Sequence, residues 1–122
     1  MLKINTFDMD GVIYMGLGRT GVRPNPGDLI ITGRSITQYD QTRWQLAELD
    51  IDNYVFFNPL GRDDPKYSRE ESGRWKAKVL TLLKQIYTID LHFEDDPVQI
   101  KEILKVHPDQ AIVELKHDLI EK

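Results

Sequence analysis

Residues 2–12, LKINTFDMDGV, read as a short strand that runs into a pair of carboxylates. Leu2 to Phe7 is an apolar-rich run of β-favouring residues, and it stops at Asp8, with Asp10-Gly11 following as a turn. Working outward, the same grammar returns four times. Leu29–Ile31 ends at Thr32-Gly33, and Tyr54–Phe57 ends at Asn58-Pro59. A fourth run holds Leu91 and Phe93 and ends at Glu94-Asp95-Asp96-Pro97, and Ala111–Leu115 is the fifth.

Helical spacing fills the later intervals. Ile36, Tyr39, Leu46 and Leu49 recur on one face, with Ser35 as a cap. Trp75, Val79, Leu83 and Ile86 recur at i, i+4, i+8 and i+11, in a helix that starts at Ser68, with Glu71 completing a capping box, or at Ser72. Asp96-Pro97 reads as an N-cap followed by proline at the first helical position, before the face Ile100, Ile103, Leu104 and His107. Strands alternating with helices predict an α/β fold. We expect a Rossmann-like three-layer sandwich with a mostly parallel five-stranded sheet covered on both faces. Gly16 to Asp28, with Gly16, Gly18, Gly21, Pro24, Pro26 and Gly27, is too broken for a crossover helix. It reads as a short hairpin or flap after the first strand, too short for a cap domain, so residues 1–122 are expected to form one domain.

Composition narrows the function classes. The 122 residues contain no cysteine, which excludes a disulfide scaffold, a thiol nucleophile and a zinc–thiolate site. Three histidines make an imidazole metal cage a poor fit. No apolar run approaches the roughly 18 residues of a membrane span, and Met1 to Asp10 does not read as a signal peptide. A cytoplasmic protein without a membrane partner is expected. The net charge of −4 disfavours binding to nucleic acid by bulk phosphate neutralisation.

In an open parallel sheet, ligands bind beyond the carboxyl ends of the strands. Asp8 and Asp10 follow the first strand, Thr32 the second, and Asp95 with Asp96 the fourth. Carboxylates converging on one edge repel one another unless a cation joins them, and oxygen-only donors suit Mg2+. Asp96 is an apt N-cap before Pro97, so Asp95 is the preferred direct ligand, with Asp96 as cap or partner of a metal-bound water.

The stretch FDMDGVIY resembles the first motif of the haloacid dehalogenase-like (HAD) hydrolases, and LIITGRS resembles their second. RWKAKVL resembles the lysine-bearing third, HFEDDP the acidic fourth, and all four occur in the family's order between Leu2 and Pro97. The resemblance implies a minimal, capless, magnesium-dependent phosphatase. Asp8 would be the nucleophile that forms an aspartyl-phosphate, and Asp10 the general acid and then base. Asp8, the backbone carbonyl of Asp10 and an acid of the fourth motif would hold the metal, while Thr32, Gly33 and a lysine would hold the transferring phosphoryl group. The sequence departs from members that space their two acids four residues apart, since Gln99 occupies that place.

Helix phase selects the lysine. Lys76 falls roughly 50° from the centre of the apolar stripe and Lys78 roughly 110° away. Lys76 is therefore expected at the sheet edge and Lys78 in water. Arg19, Arg23 and Arg34 are candidate rim residues for a phosphorylated substrate, and Trp44 is read as core or interface. The expected partner is a phosphorylated small molecule or an oligonucleotide end, with a homo-oligomer as one way of covering the site. Two alternatives stand beside the phosphatase: a nucleic-acid end-processing enzyme acting at 3′- or 5′-phosphates, and a non-catalytic module that retained the site.

Overall fold

The computed structural model describes residues 1–16 and 19–117; Gly18, counted above among the glycines of the flap, lies outside the described residues. Five strands form one sheet: β1 (Leu2–Phe7), β2 (Leu29–Ser35), β3 (Val55–Asn58), β4 (Tyr87–Glu94) and β5 (Ala111–Glu114). Their order is β3-β2-β1-β4-β5, and every neighbouring pair is parallel. Three helices, α1 (Tyr39–Glu48), α2 (Arg69–Leu83) and α3 (Pro97–Val106), connect the strands from β2 onward. The chain builds β1, β2 and β3 outward in one direction and then returns to place β4 on the other side of β1. That reversal opens a crevice beyond the carboxyl ends of β1 and β4.

Side-chain alternation divides the sheet between two cores. Ile4, Ile31 and Ile89 pack with Ala77, Leu80 and Leu83 of α2 and Ile103 of α3. Phe7, Ile30 and Val55 pack on the opposite face with Leu46 of α1 and with Met9, Val12 and Ile13. Phe7 stacks on Phe93 at 4.5 Å, which ties β1 to β4 on this second face.

Two irregularities re-aim side chains toward the crevice. On β1 the register advances from Ile4 to Thr6 while β4 advances from Ile89 to His92, so β4 carries one extra residue. The bulge changes the parity of β4 and turns His92 and Glu94, both fully buried, to the face that carries α2. On the other side, Thr32 pairs with Phe57 and Ser35 with Asn58, so β2 bulges at Gly33-Arg34. Sequence pattern ended this strand at Ile31; the bulged continuation to Ser35 has no apolar alternation to reveal it.

The segment after β1 is a hairpin. The amides of Val12, Ile13 and Tyr14 all turn onto the carbonyl of Met9, and Gly21 and Val22 donate to Ile13 and Val12. Met9, Val12 and Ile13 are fully buried. At about 1.5–3 kcal/mol per buried apolar side chain, the hairpin root is anchored rather than loose.

The helices follow their caps. Ser35 caps a short 3-10 turn, Ile36–Gln38, through a capping box with Gln38, and α1 begins after it. Ser68, not Ser72, caps α2 by accepting from the Glu71 amide. Helix α2 stops at Leu83, so Ile86, expected on its buried stripe, lies outside the helix and is exposed. Trp44 is 63 % exposed and belongs to neither core. No helix among the described residues is long and apolar enough to cross a membrane.

Helix α1 ends in a Schellman motif, with the amides of Asp50 and Ile51 donating to the carbonyls of Ala47 and Leu46. Asp50 occupies the left-handed position at φ 58°, where a Cβ is strained. Asp50→Gly is therefore expected to raise stability by about 0.5–1 kcal/mol, read as a higher urea midpoint. An unchanged or lower midpoint would show that the aspartate is not strained there.

Candidate functional site

The carboxyl end of β1 delivers Asp8 into the crevice, where the Asp8 amide donates to the carbonyl of Phe93 at 2.9 Å. Only 1 % of Asp8 is exposed. From α2, on the side of the first core, Lys76 reaches it: Nζ donates to Asp8 Oδ1 at 2.9 Å and to Glu94 Oε1 at 2.8 Å. Lys76 is fully buried, as the helix phase predicted, while Lys78 is exposed. His92 lies beside Glu94, with Nε2 3.4 Å from Glu94 Oε1 and Nδ1 2.7 Å from Thr6 Oγ1. Two buried carboxylates thus share one ammonium, which balances one of their two charges.

Asp8, Glu94 and Asp95 each offer a carboxylate oxygen, and these oxygens lie within 4.8 Å of one another. Three hard oxygen donors so placed suit a divalent cation such as Mg2+. Glu94 was not singled out by sequence, because its direction depends on the β4 bulge. Its position directly before the acidic pair was the available signal.

Asp96 is used differently. Its side chain accepts from the Val98 amide at the start of α3 and receives the Arg69 guanidinium in a two-pronged pair at 2.6 and 2.9 Å. Burial pushes the Asp96 carboxyl up, but the Arg69 fork and the Val98 amide outweigh it and hold it below its ordinary value. A depressed pKa contributes stability above the unfolded value near pH 4 and loses it as pH falls through the folded value. Asp96→Asn keeps a cap acceptor and loses the charge. It is expected to cost on the order of 1 kcal/mol at neutral pH, since Arg69 is partly exposed and its pairing is screened. The gap from the wild-type chain should close below about pH 4 in denaturation curves; a gap constant with pH would contradict it.

On the other side of Asp8, the β2 bulge throws Arg34 across to Asp10. Arg34 Nε donates to Asp10 Oδ2 at 2.8 Å and Nη2 to Oδ1 at 2.6 Å. Its third nitrogen is held by Gln45 Oε1 at 2.6 Å and Thr42 Oγ1 at 3.2 Å, both on α1, and the guanidinium lies over the Tyr14 ring. Burial works against the charge of Arg34, but hydrogen bonding to Asp10 and the nearby negative groups raise its pKa above the ordinary value. Thr32 is fully buried at the same strand end, and its Oγ1 accepts from the Arg34 amide. A Cβ on Gly33 would meet Ser72 Oγ of α2 at 3.0 Å, so glycine lets helix and strand end approach. Ser72 and Asn58, joined at 3.4 Å, line that approach and were also missed by sequence.

The other two rim arginines bond backbone carbonyls. Arg19 bonds Gly16 within the hairpin, and Arg23 reaches the carbonyl of Asp50 after α1. Since α1 runs back against the strands, Arg23 is held toward the opposite end of the sheet.

The chain matches no family model and no curated protein sequence. It is similar in structure to a chain of the Pnkp1/Rnl/Hen1 RNA repair complex, with a TM-score of 0.67 over 98 % of this chain at 14 % identity. It spans 44 % of the length of that chain. At this identity the likeness is one of fold.

Proposed function

We propose that the protein is a magnesium-dependent phosphatase of the HAD type, acting on a phosphate monoester through an aspartyl-phosphate on Asp8. The observation that carries this is the placement of buried Asp8 beside Lys76 and the Glu94–Asp95 pair at the carboxyl ends of β1 and β4. Asp8 attacks phosphorus, and the alcohol leaves with a proton from Asp10. Asp10 then takes a proton from the water that opens the acyl phosphate. Arg34, bonded to both Asp10 oxygens, orients that side chain and gives up one oxygen during transfer. Lys76, Thr32 and the Gly33 amide hold the phosphoryl oxygens. Asp8, the Asp10 carbonyl and Asp95 would hold Mg2+; Glu94 anchors Lys76, and Asp96 serves mainly as cap. When bound, the metal neutralises phosphoryl charge so that an anionic carboxylate can approach.

A second reading concerns the substrate. The fold likeness to a chain of an RNA repair complex favours an oligonucleotide 3′- or 5′-phosphate over a free metabolite. An oligonucleotide would also shield the reacting groups from water, a service that a second subunit could supply for small substrates. The test is phosphate release from a panel of sugar phosphates, nucleotides and end-phosphorylated oligonucleotides, with Mg2+ or excess chelator. Mg2+-dependent release is expected, with oligonucleotides preferred under the second reading. Silence across the panel with Mg2+ overturns the phosphatase, and unchanged activity in chelator overturns the metal.

A further inference from the structure

Just beyond β5, where the Leu115 amide still bonds the Glu94 carbonyl, the chain brings His117 to the acidic cluster. His117 Nε2 lies 2.7 Å from Asp95 Oδ2, and the two side chains are 9 % and 4 % exposed. An ionised carboxylate only accepts, so Nε2 carries the proton in this bond. Gly11 closes the pair from above. Its backbone has φ +80°, and a Cβ there would collide with both Asp95 Oδ2 and His117 Nε2. The pair is therefore walled in by the turn that follows Asp10, and its geometry is tightly determined.

Resting on the metal-dependent reading above, we propose that His117 is a positioning residue of the metal site, which holds Asp95 with one oxygen bonded so that the carboxylate is aimed at the cation. Each acid of the cluster then has a side-chain partner: Lys76, shared by Asp8 and Glu94, and His117 for Asp95. Partners behind a ligand fix its orientation, and their loss commonly weakens metal binding about 10–100-fold. The segment after β5, which no motif marks, thereby becomes part of the centre.

The experiment is Mn2+ binding to the full chain, followed by the paramagnetic resonance signal of the free ion, for the wild-type, His117→Ala and His117→Gln proteins. Glutamine places an N–H donor where Nε2 stands. His117→Ala is expected to bind at least about 10-fold more weakly, with His117→Gln recovering most of the loss and with no change in the circular dichroism of the metal-free proteins. Wild-type affinity in His117→Ala, or a glutamine variant as weak as alanine, overturns the positioning role and leaves the metal reading standing. A wild-type chain that binds no Mn2+ overturns both.

Discussion

Asp8→Asn is expected to reduce hydrolysis of an aryl phosphate by at least about 10^4-fold, because the amide cannot form the covalent intermediate. The change is nearly isosteric at a site that is 1 % exposed, so the loss should come without a change of fold. The wild-type chain, quenched in acid during turnover, should carry a phosphoryl group on the peptide containing Asp8, and the variant should carry none. Asp10→Asn separates the roles further. It should lose turnover too, but less steeply for aryl phosphates, whose leaving groups need little protonation, than for alkyl phosphates. Robust turnover by Asp8→Asn would end the covalent mechanism whatever the behaviour of Asp10.

Lys76→Met is expected to be the most damaging single change in the chain, for stability as well as activity. Methionine preserves most of the volume, yet it leaves Asp8 and Glu94 buried without the ammonium that bonds both at 2.9 and 2.8 Å. Removing one member of a buried ion group typically costs about 3–5 kcal/mol, a large part of the roughly 5–15 kcal/mol available to a domain. Lys78→Ala, two residues along and exposed, should stay within about 0.5 kcal/mol of the wild-type chain. Adding Glu94→Gln to Lys76→Met removes one stranded charge and should recover part of the loss, a coupling that denaturation of the single and double variants measures. If the two lysine variants are equally stable, the buried triad is not the electrostatic unit described.

How much of this was legible in advance depends on whether a position obeys a simple period. Strand β1 was read at its observed bounds because Leu2–Phe7 is short, apolar and stopped by an acid. Lys76 was separable from Lys78 because both sit on one regular helix, where phase alone decides direction. Glu94 was hidden because one extra residue in β4 inverts its parity, and nothing local in YTIDLHFE announces a bulge. Arg34 was read as a rim group since its tie to Asp10 spans 24 residues and depends on a second bulge. His117 offered no pattern at all; its relevance comes from where β5 releases the chain. Of the two readings of Trp44, core and interface, its exposure on α1 rules out the first.

The strand order has a consequence for how the site is assembled. Strand β1 is central, but its partner β4 is made last but one: Thr6 meets His92 across 86 positions and Asp8 meets Lys76 across 68. During synthesis, β1, β2 and β3 can pair while one edge of β1 still has open N–H and C=O groups, a surface prone to wrong pairing. Contacts this distant form slowly because loop closure must precede them. Asp8 therefore waits in water as an ordinary carboxylate, and it acquires its lysine and its acidic neighbours together in the step that docks β4 into the sheet. The site and the sheet are completed as one event, so a half-made chain carries Asp8 without the lysine and the acids that surround it.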